Sequence, residues 1–203
     1  MVRTVTKTAF AVTAIGLLLL VSGGCPSASR IKPPSISGGQ AAREMLAAYD
    51  TNGDGKISGD EFAKCPSLKH AQRELDPKNE GITGAQIEAL ITHWKETRIG
   101  RVAPYVIMVA HKGKPLDGAT VKMVPEAFLG KAFETAVGQT DKQGIASVRL
   151  PDVTPPGLTL GFYRVEITKD GESIPAKYNT ETTLGIGLTH PVSGLGAQFN
   201  LVY

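Results

Sequence analysis

The sequence predicts an α+β chain of more than one domain, a helical unit followed by a seven-stranded antiparallel β-sandwich, and three observations carry that prediction. A length of 203 residues suits one large domain or two small ones, at roughly 150 residues per domain. Between Ala41 and Trp94, apolar residues recur at helical spacing on either side of loops rich in Asp, Asn and Gly. After Gly100 that period gives way to short β-prone runs divided by turn residues. Composition excludes other classes: 41% hydrophobic and 20% charged residues is globular usage rather than that of a disordered chain. Lys and Arg number 22 against 19 Asp and Glu, a balance with no basic footprint for a phosphate backbone, so no nucleic-acid partner is expected.

The first segment reads as an address. Residues 1–24 hold Arg3 and Lys7, no acidic residue, and then an apolar stretch from Ala9 to Val21, the layout of a signal peptide. That stretch is about 13 residues, short of the roughly 20 a helix needs to cross a bilayer, so a permanent span is the weaker reading. Ser22, Gly23 and Gly24 lead directly into Cys25, a run that resembles the lipobox of bacterial lipoproteins, although Ser22 stands where Leu is usual. The resemblance implies an acylated Cys25 and an exported chain, anchored to a bacterial membrane through that lipid on the periplasmic or cell-surface side. Two or more acyl chains would make the anchor stable, because one alone binds only marginally. The alternative is an ordinary secretion signal that happens to contain a Cys.

Residues 25–39, with Pro33, Pro34 and several Ser and Gly, read as a flexible tether. Cleavage after Gly24 removes Arg3 and Lys7 and leaves 20 basic against 19 acidic residues. Acylation of Cys25 leaves Cys65 without an intramolecular partner, so no disulfide framework is expected, and Cys65 reads as a small buried residue at a helix end.

Residues 40–99 form the predicted helical unit. Ala41, Met45, Leu46 and Tyr49 mark an entering helix, and the twelve residues Asp50 to Glu61 follow it. Asp50, Asn52 and Asp54 sit at alternate positions, Gly55 permits a left-handed turn, and Lys56, Ser58 and Glu61 complete the pattern. A hard cation takes six to eight oxygens, and alternate residues of a tight loop can all turn inward. The pattern resembles the EF-hand loop. The resemblance implies a Ca2+ ion held by side-chain oxygens of Asp50, Asn52 and Asp54, the Lys56 carbonyl, Ser58 directly or through water, and both oxygens of Glu61. Dockerin modules use a similar loop but lack a full entering helix. Pro66 is expected to end or kink the exiting helix.

A second helix-loop-helix follows. Leu68, Ala71 and Leu75 suggest a helix, residues 76–86 a loop, and Ile87, Leu90, Ile91 and Trp94 one face of a last helix. Against the first loop this one is a residue short, places Lys78 where an oxygen donor belongs, and ends in Gln86 rather than Glu. It reads as a structural partner whose Ile82 pairs with Ile57, binding calcium weakly or not at all.

From residue 100 to 203 the sequence predicts strands at 105–111, 119–124, 136–140, 145–150, 160–168, 183–189 and 197–203, with turns at Lys112-Gly113, Asp117-Gly118, Asp141 to Gly144 and Lys169 to Glu172. Alternation puts Tyr163, Val165 and Ile167 on one face of its strand and Arg164, Glu166 and Thr168 on the other. The run Gly113 to Val121, then Val124-Pro125-Glu126, Thr140 to Gly144, Pro156-Gly157 with Tyr163-Arg164-Val165, and Ile174 to Tyr178 together resemble the carboxypeptidase-regulatory-like, transthyretin-like domains of bacterial surface lipoproteins. The resemblance runs from near Val102 to Tyr203. It implies a sandwich without catalysis, serving as a folding support or adhesion module. The segment from Glu126 to Glu134, with Phe128 and Phe133, departs from a bare hairpin.

No enzyme is expected. The 5-hydroxyisourate hydrolase branch of the transthyretin-like family ends in Tyr-Arg-Gly-Ser, whereas this chain has Asn200-Leu201-Val202-Tyr203. His70, His93, His111 and His190 are scattered, without the clustering of a zinc site. No nucleophile elbow or phosphate-binding glycine loop occurs. The sequence therefore points to a lipid-anchored calcium-binding protein whose sandwich is a binding or support module. Two further readings stay open. One is an accessory subunit recognising a protein or polysaccharide partner, which an exposed aromatic patch at Phe128, Phe133 or Phe162 would favour. The other is a calcium-responsive switch that bares an apolar groove.

Overall fold

Ser37 starts the first helix: its hydroxyl accepts the Gln40 N–H at 3.3 Å, satisfying one of the free donors of a helix N-terminus. Helix α1 (Gly38–Tyr49) therefore begins two residues inside the stretch read as a tether, and it buries Ala41, Ala42 and Met45. The computed structural model describes residues 34–203. The predicted leader, Cys25 and the first part of the tether lie outside the described residues.

Strand β1 (Lys56–Ile57) and a 3-10 segment (Gly59–Lys64) lead to α2 (Pro66–Leu75), then β2 (Ile82–Thr83) and α3 (Gly84–Glu96). Pro66 is the first residue of α2. It begins a helix where the sequence suggested an end or kink, because a missing N–H costs nothing at a position with no intrahelical acceptor. Thr83 and Gln86 cap α3 reciprocally. Strands β1 and β2 pair antiparallel, with Ile57 opposite Ile82 and Lys56 opposite Thr83.

The remaining strands are β3 (Tyr105–His111), β4 (Lys114–Pro115), β5 (Thr120–Pro125), β6 (Ala136–Gln139), β7 (Ile145–Val148), β8 (Gly161–Thr168), β9 (Gly185–Leu188) and β10 (Leu195–Leu201). With 28% helix and 30% strand, the chain is mixed α+β. One sheet centres on β3, with β10 along one side and β7 and β4 sharing the other. The second runs β6-β5-β8-β9 and is antiparallel throughout. A Val137–Arg149 bridge joins them. Two features depart from a seven-stranded antiparallel arrangement: β4 is an eighth, two-residue strand, and β10 runs parallel to β3. The chain reaches β10 from β9 of the other sheet through residues 189–194 rather than through a hairpin, and a period-2 pattern carries no information about strand direction.

One hydrophobic cluster spans helices and sheets. On β8, Tyr163, Val165 and Ile167 are buried as their alternation predicts, yet Phe162 is fully buried as well. The helical unit covers that second face, with the Phe162 ring 6.1 Å from Trp94 of α3, and Phe128, from the segment after β5, lies 5.7 Å away on the same side. Helix α2 lies directly on β9. A Cβ on Gly185 would stand 2.3 Å from backbone atoms of Pro66 and Ser67, so only a bare backbone admits the helix there.

Candidate metal centre

The loop of residues 50–61 is organised by its own acidic side chains. Asp50 caps α1, its N–H bonding the Leu46 carbonyl at 2.9 Å. Its Oδ1 accepts the N–H groups of Gly53 (2.7 Å) and Asp54 (3.2 Å), and its Oδ2 that of Gly55 (2.9 Å). Gly55 has φ +82°, a conformation that any Cβ would strain. The Asn52 amide oxygen accepts the Asp54 N–H at 2.9 Å, and Asp54 Oδ1 the Lys56 N–H at 3.2 Å. Glu61 ties the two ends together: Oε1 accepts from the Thr51 N–H (2.7 Å), the Thr51 hydroxyl (3.0 Å) and the Asn52 N–H (3.3 Å), while Oε2 accepts the Ser58 N–H (2.9 Å). These bonds, the Ser58 N–H first, hold the Glu61 carboxyl below its ordinary pKa, because each favours the charged form.

Donor chemistry decides whether this loop suits a cation. Every predicted ligand offers oxygen, and Asp50, Asp54 and Glu61 bring three carboxylates, the set a hard divalent ion takes. Among the described residues no Lys, Arg or His forms an ion pair with any of the three, so their charge is met by loop N–H groups, the Thr51 hydroxyl and the Asn52 amide rather than by a cation. In donor chemistry the residues present therefore suit a calcium ion. The structure does not draw the carboxylates into a tight triad: among the described residues, no three His, Cys, Asp or Glu side chains converge closely enough to hold a metal. Asp50, Asp54 and Glu61 instead each turn toward loop N–H groups. Asn52, the Lys56 carbonyl and Ser58 lie outside that residue set.

The second loop closes differently. Asp76 is buried, and its two oxygens accept the N–H groups of Glu80 (2.7 Å) and Gly81 (2.9 Å). Gln86 Oε1 accepts the Thr83 N–H at 2.8 Å, as Glu61 does for Ser58, but its Nε2 donates to the Leu75 carbonyl at 2.8 Å. A hydrogen bond from a neutral side-chain amide thus staples this loop to the end of α2, a bond that a carboxylate, which cannot donate, would not make.

Contacts that the sequence pattern does not show join this region to the sheets. Glu126, at the end of β5, is 2% exposed. It accepts the Tyr49 hydroxyl at 2.9 Å and the Ser67 hydroxyl at 2.8 Å, with Cys65 Sγ at 3.7 Å and Arg164 Nε at 3.9 Å. Burial raises its pKa against the opposing pull of those donors. Nothing in its local pattern distinguishes Glu126 from a surface acid. Gly185 and Gly187 alternate on one face of β9, and that repeat was the legible sign of a close backbone approach. Trp94 Nε1 donates to the Thr189 carbonyl at 2.8 Å.

Other candidates resolve into local contacts. Cys65 is buried at the head of α2, and burial pushes its thiol up to about 12. His111 stacks on Tyr203 at 4.1 Å with Glu172 at 3.6 Å, while His190 faces Glu74 at 3.3 Å. His70 Nδ1 accepts the Gly187 N–H at 3.3 Å, and burial lowers its pKa. Phe128, Phe133 and Phe162 are buried, so the aromatic patch that would have favoured a partner-binding sandwich is not on the surface. No described helix is long and apolar enough to cross a membrane. Neither a family model, nor a curated protein, nor a solved structure matches the chain.

Proposed function

We propose that this is a non-catalytic, exported calcium-binding protein, anchored to a bacterial membrane by lipid on Cys25. In this reading residues 40–99 are an EF-hand pair with one competent loop, and residues 100–203 a transthyretin-like sandwich that acts as a support module. The observation that carries it is the loop of residues 50–61: Glu61 spans both ends, Asp50 gathers three N–H groups, and among the described residues the carboxylates have no cationic side-chain partner. The β1–β2 pairing that sets Ile57 against Ile82 supports a paired arrangement, and the Gln86 staple supports a second loop that needs no ion.

A bound Ca2+ would supply positive charge to neutralise the loop's carboxylates. The chain's own residues do the remaining work. Asp50 and Gly55 set the turn, Glu61 closes it against Thr51 and Ser58, and β1–β2 fixes the loop against its neighbour. Ca2+ is abundant outside the cytoplasm, so a site of modest affinity would stay filled and stabilise the fold by mass action. That favours a structural role over a switch, as does the occupation of the helices' apolar faces by β8, β9 and Phe128.

Calorimetric titration with Ca2+ tests the proposal. One site in the wild-type protein, lost in Glu61→Gln, with a melting temperature that rises with Ca2+, is the expected result. Absence of any binding would overturn it, and two sites would refute the reading of the second loop.

A further inference from the structure

The two segments that enter and leave the calcium loop both end on one buried carboxylate of the sheet half. Tyr49 immediately precedes Asp50, and its hydroxyl donates to Glu126 Oε2 at 2.9 Å. Cys65 and Ser67 follow the 3-10 segment that carries Glu61, and the Ser67 hydroxyl donates to Glu126 Oε1 at 2.8 Å. Among the described residues, the only cation beside Glu126 is Arg164 at 3.9 Å, from β8. The same junction carries a chain of rings: Tyr49 meets Phe128 edge-on at 6.3 Å, Phe128 lies 5.7 Å from Phe162, and Phe162 6.1 Å from Trp94 of α3.

We infer that Glu126 couples calcium occupancy of the loop at residues 50–61 to the packing of the sheets on the helical unit, an inference that rests on the calcium reading above. The physical argument is one of shared geometry. Tyr49 is joined to Asp50 by a single peptide bond, so a change in the loop's entry angle displaces the Tyr49 hydroxyl. Ser67 moves in the same way with the segment behind Glu61. A buried carboxylate that loses a donor keeps its desolvation cost without compensation, so loop geometries that retain both donors are favoured. Linkage is reciprocal: sheets that hold Glu126 in place pre-form the loop, and an ion in the loop tightens the junction. Calcium thus clamps the two halves together instead of opening a groove.

The test uses the purified protein with Ca2+ alone as the probe, in wild type, Tyr49→Phe and Glu126→Gln, each checked for native circular dichroism. Calorimetry measures affinity, and hydrogen exchange maps where Ca2+ adds protection. Both variants are expected to bind about fivefold more weakly or worse. In the wild type, protection should extend to residues 126–129, β8 and β9. Wild-type affinity in both variants, or protection confined to residues 38–96, overturns the inference while leaving the calcium reading intact. Weakening in Glu126→Gln alone would trace to the field of its charge rather than to the contact, and overturns it as well. Tyr49→Phe removes a single oxygen and keeps the test decisive if Glu126→Gln fails to fold. No binding by the wild type refutes the calcium reading itself, and the coupling with it.

Discussion

Gly185→Ala isolates the contact between α2 and β9. The new Cβ would lie 2.3 Å from the Pro66 carbonyl carbon and the Ser67 nitrogen, and 2.6 Å from the Pro66 oxygen, whereas ordinary contact begins near 3.4 Å. All three obstacles are backbone, so no side chain can rotate away, and α2 must retreat from the sheet by about 1 Å through a close-packed core. Overpacking of this kind costs about 1–3 kcal/mol, and the backbone obstruction argues for the upper end. At about 2–4 °C per kcal/mol for a chain of this size, the melting temperature should fall by roughly 6–12 °C. Thermal unfolding followed by circular dichroism and Trp94 fluorescence measures it. Gly187→Ala provides a graded companion, since its nearest obstacle is the Ala71 Cβ at 2.5 Å, and adding Ala71→Gly should recover part of its loss. A Gly185→Ala protein that melts within about 1 °C of wild type would refute the packing argument.

Two further outcomes follow from buried groups. Burial raises the Glu126 pKa in the folded state, so the folded chain holds that proton more tightly than the unfolded one. The stabilisation this brings is complete below the ordinary carboxylate range and is lost as pH rises through the raised value. Glu126→Gln should therefore gain stability relative to wild type as pH increases from about 4 to 7, and denaturant titrations showing a difference that is flat or of opposite slope would contradict it. With its thiol pushed up to about 12 and no solvent exposure, Cys65 should be inert to a disulfide reagent at neutral pH until the protein unfolds. Stoichiometric labelling of the native protein would show that the junction opens readily.

Much of the local structure was legible in the residues themselves. Ile87, Ile91 and Trp94 fall at helical spacing and all three are buried in α3. The alternating β-prone run near Tyr163 lies in β8, and the glycines of Lys112-Gly113 and Asp117-Gly118 take the positive φ their turns require. The candidate site is equally local, because Asp50 and Glu61 reach backbone groups no more than about ten residues away and a twelve-residue pattern contains every one of its donors.

What the sequence by itself determined is therefore the conformation of most segments and the hydrogen-bonded shape of the loop at residues 50–61, both set by interactions between near neighbours along the chain. The tertiary structure decided the rest: the parallel course of β10 beside β3, the covering of Phe128 and Phe162 by the helical unit, the seat of α2 on Gly185, and the meeting of Tyr49, Ser67 and Arg164 on Glu126. Periodicity states which face of a segment seeks burial, but not what will cover it. A charged residue such as Glu126 becomes affordable in a core only when partners from distant segments arrive together.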